Sequence, residues 1–270
     1  MGNDYLLLPQ KFHKDHKFCS LMVDEIESFI ISDVFMGLKI QILNFDGKEL
    51  LQENEHILDY LLRTNQKGFH DKHLKNHILY ALLIDSVSFL KEAMEASAKM
   101  RLTVTFSLLR KPFVYNMVVV LRLFFTSDFL DKFNLEENFD TTNLTKEDLK
   151  ELLNLSTEVL LTKSISGNDI YDFVFNKGEA DSLINISNQA LHPSTTRNKN
   201  NSTGIQNINF VFSTEKEIIT QWEYLYGLLK VLLIYLNEVL DYIVFTQLEL
   251  EDKLYTERIT NRVENIYPKD

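Results

Sequence analysis

Two long intervals of this chain lack acidic residues. Asp and Glu are absent between Glu95 and Asp128 and again between Asp181 and Glu215. The basic side chains in these intervals are Lys99, Arg101, Arg110, Lys111, Arg122, His192, Arg197 and Lys199. Because the formal net charge is −11, this distribution indicates local basic sites on an acidic protein. Arginine offers a planar fork of donors, which suits the binding of phosphate.

The second interval contains a polar segment, 192–209, rich in Asn, Ser and Thr, which we predict to be a long loop. Long loops in compact proteins often carry function, and a solvated loop without function is the alternative. No carboxylate lies near His192 in the sequence to orient its ring. We therefore assign no catalytic residue here.

We predict one anion-binding cleft whose ligands are Arg110, Lys111, His192 and Arg197. Arg110 and Lys111 immediately precede Pro112, and a proline interrupts the helical hydrogen-bond ladder and often opens a recess. The alternative is that the basic residues form internal ion pairs, because buried charges are usually paired. The carboxylates available for such pairs include Asp33, Asp85 and Glu92.

His70, His73 and His77 have the spacing of one helix face, and three imidazoles could bind zinc or nickel. A Glu does not follow the first histidine as in the H-E-x-x-H motif of metalloproteases. We therefore predict solvent-exposed histidines and no metal site. Glycine-rich phosphate-binding motifs are absent as well, and we expect no cofactor.

Arg63 and His70 are separated by six residues. This arrangement is similar to the motif of the HEPN group, small helical ribonucleases of bacterial defence and toxin systems, in which four to six residues separate Arg from His. The similarity implies metal-independent cleavage of RNA. In that family the motif usually begins on a helix, and Gly68 is expected to interrupt the helix here. We therefore do not assign the chain to the family. A metal-independent ribonuclease is the alternative function.

The composition favours helices, because β-rich proteins use many Gly and Pro at turns and this chain has 8 and 4 in 270 residues. Apolar residues spaced four and three apart from Ile218 to Ile243 predict a long buried helix over about 215–247, opened by a capping box at Thr214 and Glu217. We predict an all-α fold, an irregular bundle around this helix, in a single domain 1–270. A charged C-terminal extension, 249–270, is expected to project into solvent.

Other apolar periodicities predict further helices over 18–43, 49–63, 70–109, 145–161, 169–175 and 179–191. Pro112 is expected to kink the third of these or to begin the next helix. The apolar runs 113–121 and 225–245 are predicted to be core helices: the first is too short to span a membrane, and the second contains four polar residues. A lone cysteine, Cys19, and no signal-peptide pattern in residues 1–14 predict a cytoplasmic protein.

For function, we expect a non-enzymatic sensor or interaction protein. It would bind a phosphate-bearing ligand or an acidic partner through the Arg/Lys-rich interior helix and the polar loop. A nucleotide, a nucleic acid or a protein is the expected partner at this basic site, and no membrane partner is expected. The C-terminal helix is the candidate surface for homo-oligomer formation.

Overall fold

The computed structural model describes residues 7–41, 50–196, 202–210 and 213–266. Every regular element within these ranges is helical, which confirms the predicted all-α class. The α-helices are α1 (His13–Ile31), α2 (Ile57–Arg63), α3 (Lys67–Ala98), α4 (Leu102–Arg110), α5 (Met117–Phe125), α6 (Phe129–Leu135), α7 (Lys146–Glu158), α8 (Gly167–Val174), α9 (Leu183–Leu191), α10 (Glu215–Leu248) and α11 (Asp252–Ile266).

Helix α10 runs through the core of the bundle, and its bounds agree with the predicted 215–247 to within one residue. The predicted capping box is formed: Glu217 N–H donates to Thr214 Oγ1 at 3.3 Å, and Thr214 N–H donates to Glu217 Oε2 at 2.6 Å. Leu229 and Leu232 are 2 % and 1 % exposed. Helix α10 buries a broad apolar face, and an exposed stripe that includes Glu223, Ile234 and Tyr242 faces solvent, so other helices cover most of its surface.

A tight turn separates α3 from α4, so the prediction of one helix over 70–109 is wrong. Met100 has a φ of 57°, and its N–H donates to Ser97 O at 3.0 Å, while Arg101 N–H donates to Ala96 O at 2.8 Å. This left-handed position after a helix is usually glycine. Because methionine gives no such signal, the turn cannot be recognised from the sequence.

The two predicted helices nearest the N-terminus also have different bounds in the structure. The helix predicted over 18–43 ends at Ile31, and a 3-10 segment, Asp33–Leu38, follows it. Of the helix predicted over 49–63, the structure shows α2. Residues 42–49 lie outside the described part of the chain.

Helices α4 and α5 are joined by a π-helical turn, Lys111–Asn116. Pro112 has no N–H to donate, and Met117 N–H donates to the Pro112 carbonyl, five residues back. Helical structure therefore continues through Pro112, from Leu102 to Phe125, with a π turn at the proline. Among the described residues, Leu102–Phe125 is the one stretch long and apolar enough to cross a membrane, and 61 % of its most apolar window is buried within the protein.

Helix α11 packs back against the bundle. Arg258 Nε and Arg262 Nη2 donate to the two carboxylate oxygens of Asp241 at 2.7 and 2.6 Å. Asp241 is fully buried, and a left-handed residue, Glu249, reverses the chain between α10 and α11. The expectation that this segment projects into solvent is therefore wrong for the described residues of the extension.

Helix α9 packs on α4, and the polar segment after α9 lies against the first turns of α10. The Phe106 ring on α4 lies 5.8 Å from Phe210 and 5.9 Å from Tyr224 on α10, measured between ring centroids. Tyr224 OH donates to Asp181 O at 2.6 Å, which ties α10 to the turn before α9. These contacts bring α4, α9, α10 and the polar segment around one cleft.

Candidate functional site

The described parts of the polar loop, 192–196 and 202–210, are held together by hydrogen bonds. Thr203 N–H donates to Thr195 O, and Asn209 N–H donates to Pro193 O, both at 2.9 Å. Thr203 Oγ1 also donates to Asn209 Oδ1 at 2.7 Å, and Asn209 Nδ2 donates to His192 O at 2.9 Å. The two ends of the loop therefore pair with each other, as in a compact surface loop.

This loop forms one wall of a cleft of about 850 Å³, a volume typical of small-molecule sites. Helices α4, α9 and α10 supply the other walls. Residues that line the cleft include Phe106, Gln189, Thr203, Asn209, Thr220 and Tyr224. The lining therefore combines aromatic rings with amides and hydroxyl groups.

Arg110 lies one helical turn beyond Phe106, about 6 Å along α4. Its Nη1 donates to Asn188 Oδ1 at 2.6 Å, and its Nε donates to Tyr115 OH at 2.9 Å. The guanidinium carbon also lies 5.4 Å from the centre of the Tyr115 ring. Among the described residues, no carboxylate is within salt-bridge distance of Arg110. Neutral groups thus fix the orientation of the guanidinium, and in the described part of the chain its charge has no contact counter-ion.

Lys111 has a different environment. Its Nζ donates to Asp85 Oδ1 at 2.7 Å, and Asn116 Nδ2 donates to the other carboxylate oxygen at 2.7 Å. Asp85 is one of the carboxylates named as alternative partners from the sequence. Lys111 is therefore neutralised by an ion pair on the α3 side of the π turn.

His192 lies where α9 ends, and its backbone N–H donates to Asn188 O at 3.0 Å. Asn188 therefore contacts both His192 and Arg110, and these two predicted ligands lie at the same end of α9. The His192 side chain is exposed. Arg197, the fourth predicted ligand, lies outside the described residues.

The charged side chains that line the described part of the cleft are Asp181, Lys216 and Glu217. The Thr214 backbone N–H and hydroxyl donate to Glu217 and lower the pKa of its carboxyl group. Burial, and then the charge of Asp181, raise the pKa of Tyr224. Tyr224 is therefore a neutral hydrogen-bonding group at ordinary pH. Arg110, Lys111 and His192 are not among the residues that line the cleft; Arg110 lies one helical turn from the lining residue Phe106.

Arg63 and His70, the residues of the ribonuclease alternative, each have other partners. Arg63 Nε donates to Glu55 Oε1 at 2.7 Å, and Arg63 Nη2 donates to Glu55 Oε2 at 2.9 Å. The Arg63 hydrogen bonds, followed by the Gln52 N–H, lower the pKa of Glu55 to about 2. His70 is 3 % exposed, and its Nδ1 lies 2.8 Å from Asp71 Oδ1. A buried ring of this kind is poorly placed to reach an RNA hydroxyl group.

The three histidines of α3 named above, His70, His73 and His77, do not form a metal site. No group of three or more His, Cys, Asp or Glu is arranged to hold a metal ion within the described ranges. Burial, and then the charges of His77, His56 and His70, lower the pKa of His73, whose Nδ1 is buried without a hydrogen-bond partner. His77 is exposed as predicted, whereas the prediction of exposure is wrong for His70.

Sequence reasoning missed the two side chains that orient Arg110. Tyr115 follows Arg110 by five residues, and a π turn brings residues with this spacing onto one face. The proline at position 112 marks a break in the helical hydrogen-bond ladder but does not by itself specify a π turn. Asn188 is 78 residues away, and no local pattern relates it to Arg110.

Comparison of the chain with protein-family models, with curated proteins and with solved structures gives no match.

Proposed function

We propose that this protein is a non-enzymatic binding protein that takes a phosphate-bearing small molecule in the cleft beside the polar loop. Arg110 would bind the phosphate, with His192 next to it. The observation that carries the proposal is that neutral groups, Asn188 and Tyr115, orient the Arg110 guanidinium. An arginine with a fixed orientation and no contact carboxylate can use its remaining donors for an anion.

The adjoining cleft suits the rest of such a ligand. Its volume of about 850 Å³ lies within the range of small-molecule sites. Phe106 and Tyr224 offer ring surface, and the amides and hydroxyl groups of α9, α10 and the loop offer hydrogen bonds. The lining has little net charge, so the anionic group is better placed at Arg110 than inside the cleft.

The proposal is tested by thermal unfolding in the presence of inorganic phosphate and of adenosine monophosphate. The melting temperature should rise with the logarithm of ligand concentration, because the ligand binds only the folded protein. Arg110→Gln should weaken the apparent affinity about tenfold or more, since a hydrogen bond to a charged group is lost.

Lys111→Gln is the matched control. It should lower the melting temperature of the free protein, because Asp85 loses its ion pair, while the response to ligand stays as in the wild type. The proposal is wrong if wild-type protein does not respond to either ligand, or if Lys111→Gln removes the response as completely as Arg110→Gln. A response to an acidic peptide alone would show that the partner is an acidic protein.

A further inference from the structure

A second cavity lies beside the first, on the other side of Tyr224. Its volume is about 470 Å³, and it is formed by α8, the turn before α9 and the middle of α10. Four carboxylates line it: Glu223 is paired with Lys11 at 2.7 Å, Asp172 accepts from Asn176 Nδ2 at 2.8 Å, and the other two are Glu179 and Asp181. Asp181 and Tyr224 line both cavities, whereas Phe173, Glu179, Glu223 and Gly227 belong to the lining of this one. Binding in this cavity uses neither Arg110 nor His192 and does not rest on the proposed function.

The turn that carries Glu179 and Asp181 is held rigidly. Asn185 Nδ2 donates to Glu179 O at 2.7 Å and to Lys177 O at 3.1 Å, and Asn185 is 3 % exposed. Tyr224 OH donates to Asp181 O at 2.6 Å. The backbone that positions these two carboxylates is therefore fixed from both α9 and α10, which reduces the entropy lost on binding.

The other residues that line this cavity are aromatic or apolar. Phe173, which is 40 % exposed, and Tyr224 present aromatic rings, and Leu228 lies beside them. Gly227 forms part of the floor within the 34-residue helix α10, although glycine weakens a helix interior. A Cβ atom at this position would meet no heavy atom within 4 Å. The missing side chain at Gly227 therefore leaves room above the helix.

We propose that this cavity binds an organic cation, a protonated amine of the polyamine class. Its ammonium groups would pair with Glu179 and Asp181, and its hydrocarbon part would lie along Phe173, Tyr224 and the open face at Gly227. Aromatic faces attract organic ammonium groups, and carboxylates around a cavity concentrate cations in it. The described carboxylates are not arranged to hold a metal ion, which favours an organic cation.

The test is a calorimetric titration of the full-length chain with spermidine, at fixed ionic strength and with Mg²⁺ as a comparison cation. Wild-type protein should show saturable binding of spermidine that Mg²⁺ at equal charge does not reproduce. Gly227→Leu fills the cavity without changing any charge and should weaken binding about tenfold or more. It should fold normally, because the position is open and leucine favours helix.

Two charge variants complete the test. Glu179→Gln removes one carboxylate from the cavity and should also weaken binding. Glu151→Gln removes an exposed carboxylate from α7, outside the cavity, and should leave the affinity within about twofold of the wild type. Absence of binding to the wild type overturns the proposal. So does equal binding by Gly227→Leu, which would show only a general attraction of cations to an acidic surface.

Discussion

Arg258 Nε lies 2.7 Å from Asp241 Oδ1, and this ion pair joins the last described helix to the centre of the bundle. The same guanidinium donates to Ser28 Oγ and to Glu25 O on α1, both at 2.6 Å. It also lies 4.2 Å from the centre of the Phe29 ring. Arg258 therefore binds α1, α10 and α11 to one another, and the C-terminal helix is part of the core structure.

Removing this arginine should destabilise the fold strongly. Arg258→Ala leaves the fully buried Asp241 carboxylate with Arg262 alone, and breaking a buried ion pair typically costs about 3–5 kcal/mol. We expect a loss of about 3 kcal/mol or more in the free energy of unfolding, measured by urea denaturation. Lys253→Ala breaks an exposed pair on the same helix and should change stability by less than about 0.5 kcal/mol. Equal effects of the two variants would contradict this role of Arg258.

The position of α10 could be predicted from the sequence, whereas the packing of α11 against the bundle could not. The apolar spacing of α10 predicted that helix closely, because a broad apolar face at helical spacing requires burial against other elements. Residues 249–266 looked like a solvated extension because they are highly charged, yet Arg258 and Arg262 neutralise a carboxylate inside the bundle. The reversal at Glu249 has a φ of 54° without a glycine, so no local signal marks it.

The residues of the candidate site could be predicted only in part. The absence of acidic residues drew attention to Arg110 and His192, and the structure places both at the end of α9. The same pattern could not separate Arg110 from Lys111. Their difference depends on Asn188 and Asp85, which reach them from other helices.

Helix α10 should also dominate stability through its apolar contacts. Leu232 is 1 % exposed, and Leu232→Ala should cost about 2–5 kcal/mol in the free energy of unfolding, because it removes buried methyl groups and leaves a cavity. Ile234 lies on the same helix but is 37 % exposed, so Ile234→Ala is the matched control and should cost clearly less. Chemical denaturation measures both values. A loss below about 1 kcal/mol for Leu232→Ala would show that this helix is not central.

Acidification should destabilise the protein partly through His73. Its pKa in the folded state is lowered, chiefly by burial, so the folded protein favours the neutral ring and the unfolded chain binds the proton more readily. The stability contributed by His73 is therefore complete above its unfolded pKa of about 6.5 and is lost as the pH falls below that value. His73→Gln should reduce the fall in unfolding free energy between pH 7.5 and 5.5, measured by urea titrations. An unchanged pH dependence in this variant would refute the assignment.

The binding proposal and the ribonuclease alternative differ in a direct assay. We expect purified protein to leave single-stranded RNA intact in EDTA, because His70 is 3 % exposed and Arg63 is paired with Glu55. Gel electrophoresis of a labelled RNA after incubation measures this outcome. The opposite outcome is that the wild-type protein cleaves the RNA and that His70→Ala abolishes cleavage while its circular dichroism matches the wild type. The protein would then be a ribonuclease, and the binding proposal would be wrong.

Cys19 should report on global unfolding. It is the single cysteine of the chain and is fully buried, and burial followed by the charge of Asp15 raises the pKa of its thiol. A thiol reagent such as dithiobisnitrobenzoate reacts with an accessible thiolate, so native protein should react only when the core around α1 and α10 opens. The reaction rate should therefore rise with urea in parallel with the unfolded fraction. Leu232→Ala should accelerate labelling in buffer in proportion to the rise in its unfolding equilibrium constant, about tenfold for each 1.4 kcal/mol of stability lost, and Cys19→Ala should show no reaction. Rapid labelling of the wild type in buffer would show that the packing around Cys19 opens locally, without global unfolding.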